Sequence, residues 1–263
     1  MTKPMSYSDY LALDQVLTAQ HPQSSAHDEM LFIIQHQTSE LWMRLALHEI
    51  DAARDAVGAE NLPVAFKMLA RVSRIFEQLN TAWDVLRTMT PSEYTTFRPA
   101  LGTSSGFQSW QYRLIEFKLG NRKPAMVSAH QGNDATSALL EAELNRPSLY
   151  DTAIQALVRS GFELPDAIRN RNRREKMPMS NALTDAWATV YTSPATYWDL
   201  YQLAEKLVDL EDYFRRWRFN HVTTVERIIG MKAGTGGTGG VPYLRAMLDV
   251  ELFPELWHVR TRL

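Results

Sequence analysis

The chain contains no cysteine. That absence excludes a disulfide framework, a thiolate metal centre and a cysteine nucleophile, and it suits a reducing compartment without requiring one. Long apolar runs are missing too. The densest, Met30 to Ile34, falls far short of the roughly 18 residues that span a bilayer. The opening stretch, MTKPMSYSDY, lacks the apolar core of a secretory signal. Neither sign of charge dominates: 28 Lys+Arg stand against 30 Asp+Glu, a formal net charge of −2. A nucleic-acid or anionic-membrane role therefore has no electrostatic footing. Strand-like alternation is absent, and so is any internal repeat with a period of about 20–50 residues.

What is present is helical periodicity in a chain of ordinary globular composition, 45% hydrophobic and 22% charged over 263 residues. The sequence predicts an all-α protein, a single helical-bundle domain over residues 1–263. A cytoplasmic enzyme or binding protein is the default expectation. Apolar spacing predicts helices over Tyr10 to Ala19, His27 or Asp28 to about Ala56, and Leu62 to Met89. The MLFII segment is apolar all round, which predicts burial on every side. Thr90-Pro91-Ser92-Glu93 is a helix start, with a threonine cap, proline at the first position and glutamate three residues on. That helix should stop by Arg98, because Pro99 disfavours the helical region for its predecessor. Further helices are expected over Phe107 to Leu119, Ala135 to Leu144, Ser148 to Arg159 and Pro194 to Gly230, then one or two short ones. The basic run Arg169, Arg171, Arg173, Arg174 and Lys176 reads as a solvated loop rather than an anion patch.

The region from Leu200 to Gly240 is the most informative. Leu200, Leu203, Leu207, Leu210, Phe214, Trp217, His221, Val225 and Ile228 share one helical face. His221 thus occupies a slot where leucine is the ordinary choice. A lone histidine on an apolar face is usually a core residue bonded to a carbonyl. The neighbouring Phe214, Trp217 and Phe219 raise, without deciding for, the other reading, an aromatic wall for a flat macrocycle with an imidazole at its metal. The GTGGTGG loop, Gly234 to Gly240, matches G-x-G-x-x-G, yet a helix precedes it and no βαβ unit exists, so the match is accidental. It is either a lid whose amides and Thr235 hydroxyl meet a ligand or a plain connection.

His36 lies in IIQHQTSELW, one turn after Phe32 and one turn before Glu40. A His-x3-Glu pair alone makes a poor metal site: no Glu-x-x-His pair exists, and His48-Glu49 is followed by alanine where a zinc protease needs its second histidine. A polar pocket histidine is the simpler reading. Tyr94 and Arg98 stand one turn apart, a guanidinium fork with a phenolic donor suited to a carboxylate, unless the arginine is merely superficial. Trp42 and Trp83 read as core.

Three segments carry a resemblance. MLFIIQHQTSELW, TPSEYTTFRPALGTSSGFQSWQYR, and FNHVTTVERIIGMKAGTGGTGGVPYL followed by FPELWHVRT are together similar to the tryptophan 2,3-dioxygenase family, and the likeness runs from Tyr7 to the C-terminus. It implies a homotetramer with a haem pocket, one haem b per subunit, and L-tryptophan and dioxygen as substrates, the product being N-formyl-L-kynurenine. By resemblance His221 would be the proximal iron ligand. Phe32, Ile33, Ile34, Gln35 and His36 would line the distal pocket, with His36 accepting the indole N–H as base or hydrogen-bond partner. Tyr94 and Arg98 would take the substrate carboxylate and Thr235 its ammonium group. Ser105 and Gly106 lie in the family's distal loop, Trp83 near the haem edge. Tyr7 and Leu11 would reach a neighbouring subunit's pocket. Both termini are short beside many members. The rival reading is a non-catalytic haem sensor or carrier, which has no need of a carboxylate clamp.

Overall fold

A computed structural model describes residues 4–130, 132–232, 234–237 and 239–263. Two short helices, α1 (Tyr7–Leu11) and α2 (Leu13–Val16), lead into α3 (His27–Gly58) and α4 (Leu62–Leu86). There follow α5 (Pro91–Phe97), α6 (Trp110–Leu119), α7 (Asp134–Leu144), α8 (Leu149–Arg159), α9 (Asp166–Arg169) and α10 (Asn181–Thr192). The chain closes with α11 (Trp198–Ile229), α12 (Val241–Ala246) and α13 (Pro254–His258), and short 3-10 turns fill several connections. Every element among the described residues is helical, and none of the helices is long and apolar enough to cross a membrane.

The frame is α4 laid between α3 and α11. Its stripe Leu69, Val72, Phe76 and Leu79 is fully buried, as are Leu203, Leu207, Leu210 and Phe214 of α11. Each such side chain contributes roughly 1.5–3 kcal/mol through burial. Phe76 meets Phe214 edge-on at 5.1 Å across the α4–α11 seam. Charges tie the remaining helices on: Lys118 of α6 lies 2.6 Å from Asp51 of α3 and 2.8 Å from Glu143 of α7, and Arg54 pairs with the same two carboxylates.

Several expectations are revised. The first helix is two, because Ala12 adopts a left-handed φ of 50° that breaks it. The MLFII turn is not enclosed on every side: Met30 and Ile34 are exposed on α3. The basic run is solvated only in part. Arg171 grips Asp151 through two nitrogens at 2.7 and 3.0 Å, and Arg174 reaches Glu141 at 2.7 Å. Helix α10 was not expected, although Ser180 caps it and Leu183, Ala186, Trp187 and Val190 form its buried face. The long helix α11 starts at Trp198, after the turn at Pro194.

Candidate active site

One cavity of about 240 Å³ gathers most of the residues singled out in the sequence. Its walls come from α3, α4, α5, α6 and α11, from the 104–109 segment, and from the glycine loop with α12. His221 enters it because α11 keeps its inward stripe through Trp217 and one turn further. The imidazole is stacked on Trp83, with centroids 5.1 Å apart and planes at 16°, and lies 5.3 Å from Trp217. Burial in this slot, aided by the proximity of His36, pushes its pKa down to about 4. The ring is therefore neutral at physiological pH. No hydrogen bond engages either of its nitrogens among the described residues.

That donor set constrains what the site can hold. Among the described residues no group of three or more His, Asp or Glu side chains forms a chelating cluster. A bare transition ion needs more protein ligands than one imidazole. An iron whose equatorial donors belong to a planar macrocycle needs only that one. The Trp83 indole N–H supplies a second sign, since it lines the cavity and is buried with no hydrogen-bond acceptor. A haem fits these residues.

His36 is held differently. Its Nδ1 lies 2.7 Å from the carbonyl oxygen of Phe32, one turn back. A carbonyl only accepts, so Nδ1 carries the proton and Nε2 keeps its lone pair. Burial lowers the His36 pKa, opposed by the Phe32 carbonyl and by Glu40. Phe32 packs on this ring at 4.1 Å and on Tyr94 at 6.0 Å, which joins α3 to α5.

The predicted start of α5 is present as a complete capping box between Thr90 and Glu93. It sets Tyr94 into the cavity wall with Arg98 one turn on. The two side chains are hydrogen-bonded, and burial raises the Tyr94 pKa while the Arg98 charge opposes the rise. A guanidinium only donates, so the phenol oxygen accepts and its O–H remains a donor.

The glycine loop lies against the 102–106 loop. Thr235 Oγ1 donates to the Ser104 carbonyl. A methyl group on Gly236 would come within 2.5 Å of Ser105 Cβ, so only glycine allows this approach. Gly240, at φ 64°, turns the chain into α12, and Arg245 there grips Glu226 of α11 through both carboxylate oxygens at 2.7 and 2.9 Å. Thr238, part of the loop motif, lies outside the described residues.

Phe32, Gln35, His36, Trp83, Tyr94, Arg98, Ser105, Gly106, His221 and Thr235 thus share one cavity. Ile33, Ile34, Tyr7 and Leu11 do not line it; Ile34 and Tyr7 are 47% and 76% exposed. Sequence reasoning passed over Arg113, Glu116 and Arg218, which line the cavity as a buried polar group beside the partly buried Tyr112. A signal existed: in WQYRLIEFKL the charges leave no polar face, and Gln111 and Arg113 to Leu119 are all buried.

A family model described as tryptophan 2,3-dioxygenase matches residues 1–167 and 127–263. The chain is 65% identical over 260 residues to tryptophan 2,3-dioxygenase of Bradyrhizobium diazoefficiens, covering 99% of this chain and 93% of that one. It is 64% identical over 262 residues to the protein of the same name from Ruegeria pomeroyi, covering 98% and 93%. To that of Ralstonia pickettii it is 59% identical over 262 residues, covering 100% and 94%.

Proposed function

The chain belongs to the tryptophan 2,3-dioxygenase family, and from that membership we propose how its cavity inserts both atoms of dioxygen across the indole C2–C3 bond of L-tryptophan, giving N-formyl-L-kynurenine. The observation that carries the reading is a neutral, uncommitted His221 sharing one cavity with an acceptor histidine and a Tyr94–Arg98 pair. One haem b per subunit, held by His221 and edged by Trp83, would supply when bound the iron that activates dioxygen.

The protein's part is positioning. Arg98 and the free phenolic O–H of Tyr94 take the substrate carboxylate. Thr235, whose hydrogen is committed to the Ser104 carbonyl, keeps oxygen lone pairs for the ammonium group. His36 Nε2 accepts the indole N–H, and Phe32 and Gln35 wall the ring. The glycine loop, seated on Ser105 and Gly106, excludes water from the reacting atoms.

Self-association as a homotetramer and a cytoplasmic setting belong to the same proposal. Met30, Ile34, Leu41 and Leu45 form one exposed apolar stripe on α3, and Tyr7, Tyr10, Leu11, Val16 and Leu17 are exposed on the segment before it. So much uncovered hydrocarbon supports burial against further copies, with Tyr7 and Leu11 reaching a neighbour's pocket. The Tyr94–Arg98 pair, a second fork beside the buried Arg113, counts against a haem carrier, which has no amino-acid carboxylate to hold.

Aerobic incubation of reduced, haem-loaded protein with L-tryptophan, beside D-tryptophan, tests this. Formation of N-formylkynurenine from the L form is expected. A stable dioxygen complex that leaves tryptophan intact would favour the carrier instead.

A further inference from the structure

Resting on the reading of the cavity as a haem site, we propose that Arg113 binds a propionate carboxylate of the porphyrin, so that the macrocycle is recognised by its acid side chains as well as by its iron. The supporting observation is a buried cation whose partners are incomplete. Arg113 is 5% exposed and lines the cavity. One of its terminal nitrogens donates to Glu116. Its Nε is buried with no acceptor, and no further hydrogen bond engages its guanidinium among the described residues. The Phe107 ring, 6.0 Å from the guanidinium carbon, is its other neighbour.

Arg218, the companion cation, is fully occupied. It donates to the Tyr112 hydroxyl at 3.3 Å, the Val250 carbonyl at 2.8 Å and Glu116 at 2.8 Å. Asn121 donates to the same Glu116 oxygen at 3.0 Å. A single carboxylate therefore answers two guanidinium groups, and one positive charge is left over. Tyr112 cannot offset it, because burial holds that phenol protonated. His130 carries no negative charge in either form, and its pKa is lowered by burial and by the Arg113 charge itself. Around the whole lining, Arg98, Arg113 and Arg218 stand against Glu40 and Glu116.

A buried guanidinium with a vacant N–H is unfavourable until an anion meets it. The Nε and terminal N–H groups of arginine present a planar fork that matches the two oxygens of a carboxylate. Carboxylates of two kinds would enter this cavity, the substrate's one and the porphyrin's two. Arg98 with Tyr94 already forms a fork of lesser burial for the incoming amino acid. The deeper Arg113 is left for the resident group.

The test is titration of haem-free protein, without tryptophan, with haem and with haem dimethyl ester, followed by the Soret band. Wild-type protein should prefer the free acid by at least roughly 30-fold. Arg113→Met should lose most of that preference while binding the diester as wild type does, and Arg113→Lys should keep only part. Equal binding of both porphyrins by wild type would overturn the proposal without recourse to a variant. So would full preference in Arg113→Met or, should that variant fail to fold, in Arg113→Lys. If Arg113→Met instead loses discrimination of tryptophan over tryptamine with its porphyrin preference intact, Arg113 serves the substrate and the proposal is again overturned. Failure of the haem reading itself is distinct: neither porphyrin would shift the wild-type spectrum.

Discussion

At position 36 a single tautomer decides what chemistry is open. The Phe32 carbonyl fixes the proton on Nδ1, so Nε2 accepts as long as the ring stays neutral. Burial lowers the ring's pKa, which keeps it an acceptor across the neutral range. The sign follows: the unfolded chain takes the proton first as pH falls below about 6.5, so stability declines from there downward, whereas substrate binding declines only as pH falls through the folded ring's lowered pKa. kcat/KM should be flat through neutral pH with a single acid limb, and His36→Ala should lack that limb. A limb that persists in His36→Ala would assign it to another group. Arg98 poses a different question. Arg98→Ala should weaken L-tryptophan binding by roughly 2–5 kcal/mol, since a carboxylate would lose its charged partner. Affinity measured calorimetrically and found unchanged would remove Arg98 from the substrate site.

Elements differ in how far their neighbours are written in local sequence. Helix α11 was legible because its inward stripe repeats at helical spacing over the whole length, and His221 stood out as the one polar intruder. The α5 start was legible because a capping box is a local device, complete within Thr90 to Glu93. In the basic run Arg171 departs from a solvated loop because its buried partner, Asp151, sits on α8. The same reason hid Arg218, whose partner Glu116 sits on α6, whereas Arg113 meets that carboxylate one turn away in its own helix. The break at Ala12 has no sequence signal, since alanine rarely takes a left-handed φ. Loop closure lies between these cases. The glycines announced a loop, while the structure supplies the surface it closes on. Gly236→Ala should cost about 1–3 kcal/mol of closure through its clash with Ser105, raising KM for tryptophan. Ser105→Gly in the same chain should restore much of the loss. An unaltered KM in Gly236→Ala would show that the loop does not need this approach.

For the whole molecule, the exposed stripe on α3 is the feature that the isolated chain leaves unexplained. Ile34→Glu with Leu41→Glu places charge on it without touching the core. Light scattering should then report a smaller assembly of intact helix content, while an unchanged mass would move the contact to another face. Cavity, carboxylate fork and acceptor histidine converge on one reaction, and that reaction is open to direct measurement. Reduced, haem-loaded protein is given L-tryptophan under isotopically labelled dioxygen, and the product is analysed by mass. Insertion of both atoms of dioxygen predicts N-formylkynurenine carrying two labelled oxygen atoms. A product with one label, its second oxygen drawn from water, would contradict it.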